Sequence, residues 1–239
     1  MTDETPAATA RRLMRQSGRA TLATRLTDGD AAWPYASLVL VACDQDISPL
    51  LFISDLAVHT KNLMADPHAS ILFDGTADLA NPLTGARVTL LCRGEPVDDE
   101  RLRDRFVRRQ PSAEGYRTFG DFRLWRFIPV RGQLVAGFGR IHWVECDALR
   151  PDPKIVAALA EAEADILLAL NAKHADLIDQ LGRRSVDQAG WRLTGVDADG
   201  ADLRAEDKTA RLDFAAPAAD FQGVLDQLQR LAGSGGPSR

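Results

Sequence analysis

Residues 51–73 read LFISDLAVHTKNLMADPHASILF, and their chemistry divides them into three. Leu51-Phe52-Ile53-Ser54 is a short apolar run that stops at Ser54-Asp55, and Ala69-Ser70-Ile71-Leu72-Phe73 starts after Pro67-His68. Both arms read as strands, because proline cannot continue a helix and aromatic and branched residues favour extended backbone. Between them the chain opens a short helix on His59-Thr60-Lys61-Asn62: an imidazole, a hydroxyl, an ammonium and an amide. Free backbone N–H groups and the helix dipole at such a start favour an anion, which makes this loop a candidate cradle for phosphate or carboxylate. The competing reading gives Ser54, Asp55, Thr60 and Asn62 only the task of capping and solvating a turn.

Upstream, Thr5 or Thr9 is placed to cap a helix with Ala10, Leu13 and Met14 on one face and Arg11, Arg12 and Arg15 toward water. A hairpin follows, 19–26 and 34–42 around the turn Thr27-Asp28-Gly29-Asp30. The apolar run Leu38-Val39-Leu40-Val41 reads as a strand buried on both faces. Downstream come a loop at 78–85 and a strand at 87–94. The helix at 97–110 follows, with Arg101, Arg103, Arg105, Arg108 and Arg109 interleaved with Asp98, Asp99, Glu100 and Asp104. Pairing within that helix accounts for most of the charge, and Arg108 and Arg109, without adjacent carboxylates, are its ligand candidates. An aromatic strand occupies 119–129, and 131–145 holds the last strands, interrupted by Gly132, Gly137 and Gly139, where a bulge or a flat ligand can come close. Arg140 and His142, two apart, share a face if the backbone there is extended.

The stiff connector Arg150-Pro151-Asp152-Pro153 divides the chain into domains 1–150 and 151–239. Beyond it a helical pattern runs over 154–181 with a break expected near Asn171, then strands around 191–196 and 210–214, a helix at 221–231 and a chain end at 233–236. At 239 residues the chain is long enough for two modest cores. With 29 Lys+Arg against 34 Asp+Glu, net −5, it has no global attraction for nucleic acid or anionic lipid. No apolar run approaches a membrane span and residues 1–12 lack a secretory core, so a soluble cytoplasmic protein is expected, with no membrane and no nucleic acid as partner. Cys43, Cys92 and Cys146 are too scattered for a zinc or disulfide framework and are expected to be reduced.

Four pieces carry a family likeness: Ala20-Thr21-Leu22-Ala23-Thr24, Pro34-Tyr35-Ala36-Ser37-Leu38-Val39-Leu40, His59-Thr60-Lys61-Asn62-Leu63 followed by Asp66-Pro67, and Arg87-Val88-Thr89-Leu90. Through them residues 19–147 resemble the pyridoxamine 5'-phosphate oxidase-like, FMN-binding split-barrel superfamily. HTKNL and the Gly137-Phe138-Gly139 ending are most similar to its HugZ-type heme-utilisation branch. Residues 152–232, through Asn171-Ala172-Lys173-His174-Ala175-Asp176, resemble the small DUF2470 α/β domain often joined to such barrels. The resemblance implies an α+β fold, a six-stranded antiparallel split β-barrel with flanking helices plus a small C-terminal α/β domain. It also implies a homodimer whose groove holds the cofactor.

No hydrolase motif, metal-ligand spacing or nucleotide glycine loop is present, so the catalytic residues are unknown and a cofactor must carry any hard chemistry. For FMN, the resemblance implies Ser37, Ser54, His59, Thr60, Lys61 and Asn62 around the phosphate. Lys61 matches the loop lysine, Thr60 stands where a second basic residue is usual, and Ser37 and Ala42 replace the phosphate-facing arginine and lysine. Two charge-assisted contacts are thereby missing, each contributing roughly 1.5–3 kcal/mol. For heme, the needs are a neutral imidazole, cations for propionates and an apolar slot. Of the four histidines, His142 and His174 are the candidate iron ligands and Arg140 a propionate partner, while His68 after Pro67 reads as an exposed turn residue and His59 as orienting its loop. Heme is therefore the candidate cofactor and FMN the alternative, with an unidentified electron donor if the protein is an enzyme. A non-enzymatic cofactor-binding or scaffold dimer is the third reading.

Overall fold

The computed structural model describes residues 5–77, 79–137 and 139–233. The loop residue Asp78, Phe138 of the Gly137-Phe138-Gly139 ending and residues 234–236 of the chain end lie outside the described residues. The chain forms two compact units, Met1–Arg150 and Pro151–Arg239.

In the first unit, α1 (Pro6–Gln16) starts where the Thr5 hydroxyl accepts the Ala8 N–H and Pro6 takes a first-turn position that lacks a helical partner anyway. Ala10, Leu13 and Met14 are buried as expected, but Arg15 is buried too, its guanidinium donating to the Gln45 carbonyl at 3.1 Å. A long aliphatic stem can pack while its head finds a backbone acceptor, which a charge-to-solvent rule overlooks.

The strands are β1 (Arg19–Asp28), β2 (Ala31–Leu40), β3 (Ala42–Cys43), β4 (Pro49–Ser54), β5 (His68–Asp74), β6 (Ala86–Val97), β7 (Phe122–Ala136) and β8 (Ile141–Glu145). Helix α2 (Val58–Ala65) joins β4 to β5, α3 (Glu100–Arg109) follows β6, and α4 (Cys146–Leu149) follows β8. All pairings are antiparallel, in the order β2-β1-β5-β6-β7-β4-β3 with β8 on β7. Six long strands make the body and the short β3 and β8 extend it. The β1–β2 hairpin closes through Gly29, whose φ of +58° is the left-handed backbone a two-residue turn demands.

Leu22, Ile71, Phe73, Leu90, Trp125 and Phe127 fill the interior, and a second cluster packs Leu50, Phe52 and Leu124 under Leu102 and Phe106 of α3. Strand β4 is thus buried on both faces. The run expected to be so, residues 38–41, is not: Val39 and Val41 are buried, whereas Leu38 is 76% and Leu40 41% exposed. The reason is position, since β2 ends the sheet order and, among the described residues, Leu38 and Leu40 stand uncovered on its outer face. Arg101, Arg105 and Arg109 of α3 are structural ties: Arg101 pairs with Asp44 at 2.9 Å, Arg105 donates to the Cys43 carbonyl, and Arg109 donates to the Gln16 carbonyl at 2.8 Å. Arg109 therefore holds the end of α1.

The second unit comprises α5 (Pro153–Lys173), α6 (Ala175–Arg183), the sheet β11-β10-β9 (β9 Arg192–Asp197, β10 Gly200–Ala205, β11 Lys208–Asp213) and α7 (Phe221–Gly233). The helical break expected near Asn171 falls at His174. Asn171 stays inside α5 because its amide bonds both the N–H and the C=O of Leu193, at 2.8 and 3.0 Å, fastening the helix to β9. Arg211 is buried among carboxylates, with two 2.9 Å bonds to Asp197 and one of 3.2 Å to Asp202.

Candidate functional site

Helix α2 presents the residues of the expected cradle, but most are already engaged. Ser54 donates to the Asp121 carboxylate at 2.6 Å and accepts the Leu56 N–H, so its hydroxyl shapes the turn into α2. Beside it Asp55 pairs with Arg123 at 2.9 Å. Asn62 is buried, its amide donating to the Thr24 hydroxyl at 2.9 Å, which anchors α2 to β1. Thr60 is 1% exposed and its hydroxyl has no hydrogen-bond partner among the described residues. Burial pulls the His59 imidazole below its usual pKa, favouring the neutral ring. Of the expected cradle residues on α2, Lys61 is the exposed one. Ser37 lies opposite Leu22 in the β1–β2 register, on the same side of the sheet as the Thr24–Asn62 bond. Ala42 is buried against α3 and supplies no cation.

This donor set fits a phosphate poorly. One exposed ammonium remains, the Ser54 hydroxyl is held by a carboxylate, and the Thr60 hydroxyl is buried.

The histidines are dispersed. His142 sits in β8 opposite the buried Leu134, and so on the side of the sheet away from Trp143. Arg140 precedes β8 in the turn after Gly137, its guanidinium bent back to the Ala136 carbonyl at 2.5 Å, so the shared extended face with His142 does not form. The glycines serve that turn, with φ of +104° at Gly137 and +76° at Gly139. His174 belongs to the second unit, where its backbone N–H closes α5 on Leu170 and its carbonyl accepts from Ile178 in α6.

A different group converges on the opposite face. Across the sheet, register places Ala36, Ala23, Ser70, Leu91 and Arg131 in one row and Leu38, Thr21, Leu72, Thr89, Gln133 and Trp143 in the next. Leu38, Leu40, Ile141 and Trp143 stand exposed, and the Arg131 guanidinium lies 4.3 Å from the Trp143 ring centre. At one end opens a cleft of about 420 Å³ lined by Ala23, Arg25, Trp33, His68, Ser70 and Leu91 among others. It is mostly apolar, with a guanidinium, an imidazole and a hydroxyl among its polar groups. His68 Nδ1 lies 2.7 Å from Asp66 Oδ1, and Arg25 lies 3.8 Å from the other oxygen of that carboxylate. The His68 bond holds the Asp66 carboxyl below its usual pKa. Residue-by-residue reading of the sequence sees His68 as a turn and passes over Arg25 and Trp33. Only the pairing of β1, β2, β5 and β6 brings them together, although the Asp-Pro-His spacing already favours the Asp66–His68 contact.

Burial drives the Cys92 thiol up to about 12, which removes it as a thiolate ligand. No cluster of metal-binding side chains occurs among the described residues, and none of their helices is long and apolar enough to cross a membrane.

Residues 7–136 match the pyridoxamine 5'-phosphate oxidase family model. The chain is 37% identical over 133 residues to the chloroplastic non-canonical heme oxygenase HOZ of Arabidopsis thaliana, a match spanning 51% of this chain and 40% of that protein's length. Among solved structures, a heme-binding protein from Mycobacterium smegmatis aligns over 98% of both chains with 30% identity and a TM-score of 0.58. A protein of unknown function from Agrobacterium tumefaciens, Atu2129, aligns over 94% of both with 25% identity and a TM-score of 0.76.

Proposed function

The chain belongs to the pyridoxamine 5'-phosphate oxidase family, and from that premise we propose that it binds heme, at the outer sheet face and its cleft, in preference to FMN. The observation that carries the reading is the contrast between the two sites. The family's phosphate loop here closes its serine on Asp121, while the cleft offers an apolar wall of Ala23, Trp33 and Leu91 with Arg25 and His68 beside it. A porphyrin needs that combination: apolar contact for the ring, cations for its propionates and a neutral nitrogen for its iron. The likenesses to a heme-binding protein and to a heme oxygenase support it.

The exposed Leu38, Leu40, Ile141 and Trp143 favour a homodimer in which a second copy covers this face and completes the cofactor groove. Oxidative opening of the ring, with dioxygen and an external electron donor, is the finer reading of the same site and draws on the heme oxygenase likeness. Bound iron porphyrin would supply the oxygen chemistry, and the chain's own residues would hold the ring and exclude water.

The test is a visible-absorption titration of the purified full chain with hemin and, separately, FMN. We expect a Soret shift saturating near one hemin per chain and no retained flavin. A retained flavin band with no saturable Soret shift would overturn the heme reading. Loss of the Soret band under ascorbate and oxygen distinguishes degradation from storage.

A further inference from the structure

Resting on the heme reading, the geometry points to His68 as the iron ligand, oriented by Asp66, in place of the strand and tail histidines. An ionised carboxylate only accepts hydrogen bonds, so the 2.7 Å contact to Asp66 Oδ1 requires the proton on His68 Nδ1. In the neutral ring the lone pair is then at Nε2, which has no hydrogen-bond partner among the described residues. A ligand imidazole that donates its other N–H to a carboxylate is the arrangement by which proteins set the tautomer, orient the ring and raise its basicity.

Asp66 is itself held in place. Its second oxygen faces Arg25, and its Oδ1 also accepts the His68 backbone N–H at 3.1 Å, a short turn that fixes the histidine at the first position of β5. The ring side chain is 78% exposed and lines the cleft, so iron can approach without rearranging the core. Arg93 sits directly opposite His68 in the β5–β6 register and Arg25 lies on the other side, two cations suited to propionates. The other histidines lack this convergence: His59 is partly buried on α2, His142 lies on the far side of the sheet from Trp143, and His174 belongs to the helix break of the second unit.

Ferric hemin titrations of the full chain, read by Soret position and electron paramagnetic resonance, test this in the His68→Ala, His142→Ala, His174→Ala and Asp66→Asn proteins. His68→Ala should lose the imidazole-bound ferric signature and regain the wild-type Soret position on adding free imidazole. His142→Ala and His174→Ala should keep it. Asp66→Asn should retain the ligand and weaken hemin binding about 10- to 100-fold, the range for losing the carboxylate behind a ligand histidine. A wild-type signature in His68→Ala, or its loss in either other histidine variant, overturns the assignment while heme binding stands. A wild-type protein that shows no Soret shift overturns the heme reading as well.

Discussion

If Asp121 is what closes the family's phosphate loop, removing its charge should reopen it. The carboxylate lies 2.6 Å from the Ser54 hydroxyl. A phosphate oxygen engaging the same hydroxyl would lie about 2.7 Å from it, which sets the two anions about 5 Å apart. A phosphate monoester carries about 1.5–2 negative charges, so at an effective dielectric near 20 the repulsion is roughly 5–7 kcal/mol. Ser54 and Asp121 are half-buried, and solvent and salt reduce this to about 2 kcal/mol, or ~30-fold in affinity. Asp121→Asn removes the charge and keeps an acceptor for Ser54, and the bond from the Asp55 N–H to the residue 121 carbonyl is backbone and survives. Fluorescence titration should therefore show FMN binding about 30-fold tighter than in the wild type, with the gain shrinking as salt rises. An FMN affinity unchanged within about threefold, on that scale of about 1.4 kcal/mol per tenfold, would refute the argument that this carboxylate excludes the phosphate.

Two stability predictions follow from buried polar groups. Burial works to lower the Arg211 pKa, but Asp197 and Asp202 outweigh it and the net shift is upward, so the guanidinium stays charged in the second unit's core. Arg211→Met strips three bonds from Asp197 and Asp202 and should destabilise that unit by about 3–5 kcal/mol. Hydrogen exchange of the β9–β11 amides would report it, and a loss under about 1 kcal/mol, the scale of an exposed pair, would show that the charge is not truly desolvated. Thr60→Val removes a buried hydroxyl without a partner among the described residues and should raise the apo-protein's guanidinium midpoint by the equivalent of about 1 kcal/mol. A lowered midpoint would mean that the hydroxyl is hydrogen-bonded in solution.

What residues 51–73 determine on their own is local. An apolar run ended by Ser54-Asp55, a helix start and a restart after Pro67 produce β4, α2 and β5, because proline geometry, capping and side-chain branching act over a few residues. The family resemblance rests on the His59–Leu63 piece of this stretch together with three pieces outside it, at 20–24, 34–40 and 87–90, and residues 7–136 match the family. The eight-stranded antiparallel sheet and the second small sheet accord with the α+β split-barrel expectation.

Burial on two faces, by contrast, was legible as a property of some apolar strand without saying which. Leu38-Val39-Leu40-Val41 and Leu50-Leu51-Phe52-Ile53 look alike as strings. Only β4 has α3 folded over its second face, while β2 ends the sheet, so the same composition leaves Leu38 in water. The arginines obey the same rule: Arg15 and Arg105 are buried because backbone carbonyls of the distant residues Gln45 and Cys43 meet them. The candidate site was legible only in part. His59-Thr60-Lys61-Asn62 lies at the helix start that its residues favour, yet Ser54 is engaged by Asp121, 67 residues away. Arg25, Trp33, His68 and Leu91 become one cleft through strand pairing. The sequence by itself determined the family and the elements of residues 51–73, since those follow from contacts between near neighbours, whereas the break expected at Gly132 is absent because β7 runs through it from Phe122 to Ala136. Which faces are covered, which polar groups are already satisfied and which residues meet in the cleft were decided by the tertiary structure, because each depends on partners that only folding brings within reach.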